Sequence, residues 1–204
     1  MKHIILFIFL INSCVFSQIT KEHIFKIETE YSIINTKNHE KSKGIDLTFR
    51  HPKDWIIKEG FRPNIIYSIN DSVTNSSIMI QITETKGLKE LIKTKKDLVE
   101  LNKLLIPNNT DCVKLIKQIS SNTKKERCEN IKIEGLPTTI MYFYNKQSTL
   151  GVELEPYYIN YQIFYDYKMI NINFVFNSMN TDERLAEYFS KKVMATFVLN
   201  NLWI

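Results

Sequence analysis

Glycine and proline are scarce in this chain of 204 residues, five of each, and alanine occurs only as Ala186 and Ala195. So few glycines leave little room for the tight turns that cradle phosphates. No Gly-rich phosphate loop, nucleophile elbow or HExxH zinc motif is present. Cysteine is rarer still, with Cys14, Cys112 and Cys128 alone, and no CxxC pair to suggest thiol redox chemistry. His23, His39 and His51 fall at no metal-ligand spacing and read as solvated tail, loop and turn residues. Glu153 and Glu155, alternate residues on one strand face, are the nearest approach to a catalytic carboxylate pair, and they lack a third group. The sequence therefore predicts neither an enzyme nor a cofactor or metal site. Long apolar runs are also missing beyond Phe16, and no segment reaches the roughly 20 apolar residues of a spanning helix.

Net charge is +5, a balance that invites a nucleic-acid or membrane partner. The lysines, however, are scattered and mixed with Glu and Asp. Lys, Asn, Ile, Tyr and Phe are enriched together, which points to compositional bias rather than to a basic stripe. No nucleic-acid partner is expected.

What is present begins with a leader. Lys2 and His3 precede an apolar run from Ile4 to Ile11, followed by small and polar residues to Gln18. A short basic segment, an apolar core and small residues at a cleavage site describe an export signal over residues 1–17. Ile11-Asn12-Ser13-Cys14 offers an alternative, a lipobox ending at residue 13, with Cys14 as a lipid-modified first residue. The protein is thus expected to be periplasmic or secreted, or else a lipoprotein held to the membrane only through Cys14. Export leaves Cys112 and Cys128 as an even pair in an oxidising compartment. A bridge between them would close a loop worth about 3 kcal/mol in the chain-entropy model.

The architecture is read from Ile131 to Phe176. Tyr157, Ile159, Tyr161, Ile163 and Tyr165 alternate with residues that include Asn160 and Gln162; Ile170, Ile172, Phe174 and Phe176 alternate with Asn171 and Asn173. Period two with β-branched and aromatic residues predicts antiparallel strands with one packed face, joined by a hairpin at Asp166-Tyr167-Lys168. Upstream, Ile45–Arg50 reads as a strand that Pro52 stops, with Trp55 folding back over the core edge. Ile65–Ile69 and Ser77–Thr85 read as strands, and Ile24–Ile34 fits strand or helix. Leu88–Leu105 carries a helical stripe, Val113–Ser121 reads as a strand, and Lys124–Arg127 as a charged loop. A last helix is expected from Asn180 or Thr181, with Asn180 and Glu183 at capping-box spacing and Leu185, Phe189, Val193 and Phe197 as its buried stripe.

Two surfaces emerge as candidates. The sheet face opposite the core carries Gln81, Asn160, Gln162, Asn171 and Asn173, with Ser77 and Thr83 nearby. It is polar, almost uncharged and suited to docking a protein or glycan. Between sheet and helices, Tyr142, Tyr157, Tyr161 and Tyr165 would line a pocket for a small apolar or glycan ligand.

Phe49-Arg50-His51-Pro52-Lys53-Asp54-Trp55 resembles the aromatic-x-x-Pro-x-x-Trp element that follows the first strand of the Mog1/PsbP-like superfamily. Ile133-Glu134-Gly135-Leu136-Pro137 resembles its Gly-x-Pro element, and Phe197 its closing Phe, although Thr196 stands where a serine is common. The resemblance implies an α+β fold, an antiparallel β-sheet flanked by helices as an α/β/α sandwich. On this reading residues 18–44 are an amino-terminal segment and loop, and residues 45–204 a single domain. It also implies an accessory or binding role with an unknown protein partner in the cell envelope. The alternative is a lipid-anchored carrier using the tyrosine pocket.

Overall fold

In the computed structural model the alternation of the central block becomes a hairpin. Strands β10 (Tyr157–Tyr165) and β11 (Lys168–Phe176) pair antiparallel from Tyr157 opposite Phe176 to Tyr165 opposite Lys168. The turn residues Asp166 and Tyr167 both have positive φ, 44° and 58°. That two-residue geometry matches the right-handed twist of the strands it joins. The structure describes residues 19–84, 109–149, 151–177 and 182–203. The leader, Cys14 and the helical stripe at Leu88–Leu105 lie outside the described residues.

Five further strands complete the sheet: β3 (Ile56–Glu59), β4 (Ile65–Asn70), β5 (Ser77–Glu84), β6 (Thr123–Ile133) and β7 (Leu136–Asn145). Their order is β3-β4-β5-β11-β10-β7-β6, every pairing antiparallel. Register sets the core. Ile78, Ile80 and Ile82 stand opposite Phe174, Ile172 and Ile170, and all six are fully buried. Beside the sheet, β8 (Gln147–Thr149) and β9 (Val152–Leu154) form a separate two-stranded ribbon.

Helix α3 (Glu183–Met194) lies over this face with Ala186, Phe189, Ser190 and Val193 wholly buried. Its N-cap is Asp182, whose carboxylate accepts from the amides of Arg184 and Leu185 at 3.0 and 3.1 Å. This corrects the expected start at Asn180 or Thr181, since a carboxylate one residue before the helix satisfies the first free amides directly. Helix α1 (Lys21–Thr29), β1 (Tyr31–Asn35), β2 (Leu47–Pro52) and β12 (Val198–Leu199) extend the same layer, the strands in the order β1-β2-β12. Ile24–Ile34 is thus a helix and then a strand. Ile24, Ile27 and Ile34 join the main core, so the packed unit begins well before Ile45, where the sequence places the domain's start.

Helix α2 (Asn109–Ile119) covers the other face at β6 and β7. The strand expected at Val113–Ser121 is therefore wrong. Cys112, Leu115 and Ile116 recur at helical spacing and pack on Met141, Phe143 and Tyr158, whereas strand alternation would have exposed half of them. Lys124–Arg127 is no loop but the irregular start of β6, where the pairing register shifts between Lys124 and Arg127.

His51 also departs from expectation. It is fully buried on the core face of β2, Nδ1 lies 2.8 Å from the Pro52 carbonyl, and Nε2 has no partner among the described residues. Its strand alternates Leu47, Phe49 and His51 inward, and Pro52 ends the ladder one residue too late to turn the ring outward. Burial lowers its pKa, because an imidazolium there would lose its hydration. The folded protein keeps His51 neutral while the unfolded chain protonates near pH 6.5. Its contribution is therefore intact above about pH 6.5 and lost as pH falls below, by at most about 1.4 kcal/mol per unit. Urea midpoints at several pH values should show the gap between wild type and His51→Gln narrowing from about pH 7 to pH 5. A constant gap contradicts a buried neutral His51.

Candidate functional site

The register brings the five polar candidates together on the face opposite the core. Asn160 stands opposite Asn173, Asn171 opposite Gln162, and Gln81 opposite Asn171 on the next strand. Thr139 and Asn130 continue the row onto β7 and β6, with the Thr139 hydroxyl donating to Asn130 Oδ1 at 3.0 Å. Exposure is uneven. Asn160 and Asn171 are 9% and 8% exposed, so neither offers much area to a partner, while Gln81, Gln162 and Asn173 are half-buried. Asn160 Nδ2 donates to Asn173 Oδ1, and Asn160 Oδ1 is left without a partner among the described residues.

The tyrosines lie on the core face, where alternation from β10 and β7 puts them. Tyr142, Tyr157 and Tyr161 are at most 2% exposed. Each hydroxyl is taken up. Tyr142 donates to Glu129 at 2.9 Å, Tyr157 to Glu187 at 3.0 Å, Tyr165 to the Asn201 carbonyl at 3.4 Å, and Tyr161 pairs with Ser190 Oγ at 3.2 Å. Tyr144 donates to Glu183 at 3.0 Å. Burial pushes the Tyr142 and Tyr157 hydroxyls far above their ordinary value and that of Tyr161 up to about 12. Phenols held so firmly protonated act as donors and not as proton acceptors at neutral pH.

Cations complete a clamp that sequence reading missed. Arg127 reaches Glu187 at 2.6 Å and lies over the Tyr142 ring at 3.9 Å, while Lys125 reaches Glu183 at 2.9 Å. The Lys125 ammonium, with the Tyr144 hydroxyl helping, holds the Glu183 carboxyl below its ordinary value. Half of the pattern was available in the sequence, since Glu183 and Glu187 share a helix face at i, i+4; the register shift between Lys124 and Arg127 was not. The clamp ties α3 to the β6 edge of the sheet. Glu153 and Glu155 are neutralised separately, by Lys146 at 2.8 Å and Lys124 at 2.7 Å.

Past the clamp the two layers part. A cleft of about 330 Å³ opens between the end of α3 and β6, floored by Ile140, Tyr161, Met194 and Phe197. Of the four candidate pocket tyrosines, Tyr161 is the one that borders it. On the far side of the sheet Cys112 and Cys128 form a disulfide, tying α2 to β6 as expected. At the opposite sheet edge Phe61 is fully exposed on the β3–β4 turn. In that turn Lys41 Nζ donates to the Gly60 carbonyl at 2.7 Å, and a Cβ on Gly60 would sit 2.2 Å from the Ile65 carbonyl oxygen. Among the described residues no group of three or more His, Cys, Asp or Glu is placed to hold a metal ion, and no helix is long and apolar enough to cross a membrane.

Solved structures match this arrangement of layers. The cyanobacterial PsbP (CyanoP) from Synechocystis superposes with a TM-score of 0.51 at 15% identity, over 82% of this chain and 92% of that one. The Ran-binding protein Mog1p from Saccharomyces cerevisiae superposes with a TM-score of 0.50 at 11% identity, over 83% and 95%. The chain has the Mog1/PsbP-like fold. No protein-family model matches the sequence, nor does any curated protein. Within the Mog1/PsbP-like sandwich the motif residues have visible tasks. Phe49 and Trp55 are buried, Trp55 stacks on Phe189 at 5.3 Å, and Gly135 holds φ at +76° in the β6–β7 turn.

Proposed function

We propose that this is an exported, non-catalytic binding or accessory protein that works through its surface on a protein partner in the cell envelope. The observation that carries the reading is the closed interior. The four tyrosines that would have walled an internal pocket pack into the main core or against it, and their hydroxyls are bonded to groups of the protein itself. A ligand entering there would have to break those bonds and leave buried polar groups unpaired. What remains for recognition is the outside. Phe61 supports it as a wholly exposed aromatic on the β3–β4 turn, since aromatic side chains are enriched at protein interfaces. Gln81, Gln162 and Asn173 are the accessible part of the uncharged band. One protein of the same fold is named for binding Ran. Export is supported by the leader and by the Cys112–Cys128 disulfide, which suits an oxidising compartment.

A photo-crosslinking residue at position 61 in the native host should join the protein to one dominant envelope partner, and the same residue at Lys53 should not. Equal yields at both positions, or none at 61, contradict the proposal. Intact mass of the mature protein distinguishes cleavage before Gln18 from lipidation of Cys14.

A further inference from the structure

The seven-stranded sheet ends at β3, and among the described residues no strand lies on the far side of it. The pairing phase fixes which backbone groups face that side. Gly60 N donates to the Ile66 carbonyl at 2.9 Å, and β3 runs along β4 with Ile57 opposite Ile69 and Lys58 opposite Ser68. Gly60 opposite Ile66 continues the same register, so Gly60, Lys58 and Ile56 are the residues bonded to β4. In an antiparallel ladder they alternate with residues that turn both N–H and C=O away from the neighbour. Ile57 and Glu59 therefore aim their donors and acceptors out of the sheet edge, where no described backbone group takes them up.

The side chains of the edge are open as well. All four residues of β3 are exposed, Ile56 at 50% and Ile57 at 42%. Neighbours in a strand point to opposite faces, so only a strand alongside would give both isoleucines a further cross-strand partner. Phe61, two residues past Glu59, extends the same edge. Natural edges are guarded by shortness and by charge. Glu59 is drawn back by Lys41 at 3.5 Å, which leaves Lys58 as the guard, with no ion-pair partner among the described residues.

That guard selects the occupant. Two copies of β3 would have to bring outward residues face to face, and the registers of greatest overlap set Lys58 against Lys58 or against Ile56. The first repels and the second leaves the ammonium unanswered. A lipid surface or a small ligand carries no row of amides at the strand repeat. An extended polypeptide does, and an acidic residue opposite Lys58 completes the match.

We infer that β3 accepts an extended antiparallel segment of the partner protein, which bonds to the Ile57 and Glu59 backbones and sets an acidic side chain opposite Lys58. The inference rests on the surface-binding reading above and names the mode of contact.

The test is amide NMR with hydrogen exchange on the isotope-labelled, oxidised protein. In the free protein the Ile57 and Glu59 amides should exchange at least about tenfold faster than those of Lys58 and Gly60. Equal protection would mean that the edge is already occupied, by this chain or by a second copy, and overturns the inference. The blocked heptapeptide Thr-Val-Thr-Glu-Val-Thr-Thr should then shift the Ile57 and Glu59 amides saturably, with a Kd of about 1 mM, and slow their exchange. Methylating the backbone amides of the two residues flanking Glu removes the donors that face β3, and should abolish the shifts. Methylating the Glu amide, which faces away, should change the affinity less than about threefold. Lys in place of Glu should weaken binding about two- to fivefold. Ile57→Pro removes the outward N–H without removing a bond to β4, a change that edge strands tolerate, and should abolish binding. If that variant does not fold, the two methylated peptides decide the matter on the wild type. No saturable shift at about 10 mM peptide, or equal losses with both methylated peptides, overturns the inference. Unchanged capture by Ile57→Pro of the partner crosslinked at position 61 would overturn it too, while leaving the broader reading in place.

Discussion

Phe189→Ala should lower the stability of the protein by about 3–5 kcal/mol, the range for emptying a buried aromatic site. Phe189 is fully buried on α3, stacked by Trp55 at 5.3 Å and met edge-on by Phe174 at 6.4 Å and Phe176 at 6.2 Å. Aromatic packing of this kind adds to the burial of area itself. Domains are commonly stable by only about 5–15 kcal/mol, so the change removes a third or more of the total in most cases. The effect should appear as a lower urea midpoint with an unchanged slope, since the surface exposed on unfolding stays nearly the same. Tyr188, the adjacent residue on the same helix, is half exposed, and Tyr188→Ala should cost no more than about 0.5 kcal/mol. Similar losses at the two positions would mean that α3 does not face the sheet as described.

The second large effect concerns the disulfide. Replacing Cys112 and Cys128 together by alanine should cost about 3 kcal/mol, the chain-entropy value for a closed loop of this size. The bond joins residues 16 apart and fixes α2 against β6. Without it, the apolar packing that holds α2 among the described residues is that of Leu115 and Ile116 on Met141, Phe143 and Tyr158, a small cluster for a helix of 11 residues. Two measurements separate the global cost from the local one. Urea midpoints of oxidised and reduced protein give the first. Hydrogen exchange gives the second, with α2 amides losing protection on reduction before those of β10 and β11. Equal midpoints in the two redox states would show that the bridge contributes nothing.

Much of the Mog1/PsbP-like sandwich was legible because its centre alternates strictly. Ile78, Ile80 and Ile82 face Phe174, Ile172 and Ile170 across β5 and β11, and period two carries the whole register once one pair is right. Trp55 folding over the core, the β10–β11 turn and the Cys112–Cys128 bond followed from proline, turn and compartment chemistry. The misses share a cause. Val113–Ser121 and Lys124–Arg127 border one another and are amphipathic over short windows, where strand and helix patterns overlap. Cys112, just before Val113–Ser121, is what completes the helical stripe with Leu115 and Ile116. His51 departs from the expected turn position because a neutral imidazole is small and apolar enough to be buried, and only strand phase decides which way it points.

The candidate site was legible in a different measure. The carboxamides of the polar band do share a face, but sequence alone gave no hint that Asn160 and Asn171 would be buried. The tyrosines were placed between sheet and helices, where they are, yet a row of phenols reads equally as a pocket wall or as core. What decides it is the partners, Glu129, Glu187, Ser190 and the Asn201 carbonyl, which come from strand, helix and carboxyl terminus. Such long-range hydrogen bonds leave no periodic mark. The cleft is likewise invisible in any one segment, because its lining comes from β6, β7, β10 and α3.

The proposal that the interior is closed to ligands and that a partner touches the outer surface is best tested by native mass spectrometry of the protein purified from its native host. The expected species is the oxidised polypeptide, alone or bound to another protein, with no small molecule released on denaturation. A stoichiometric apolar or glycan adduct that leaves when the protein unfolds would contradict it, and would make the tyrosine-lined layer a binding chamber after all.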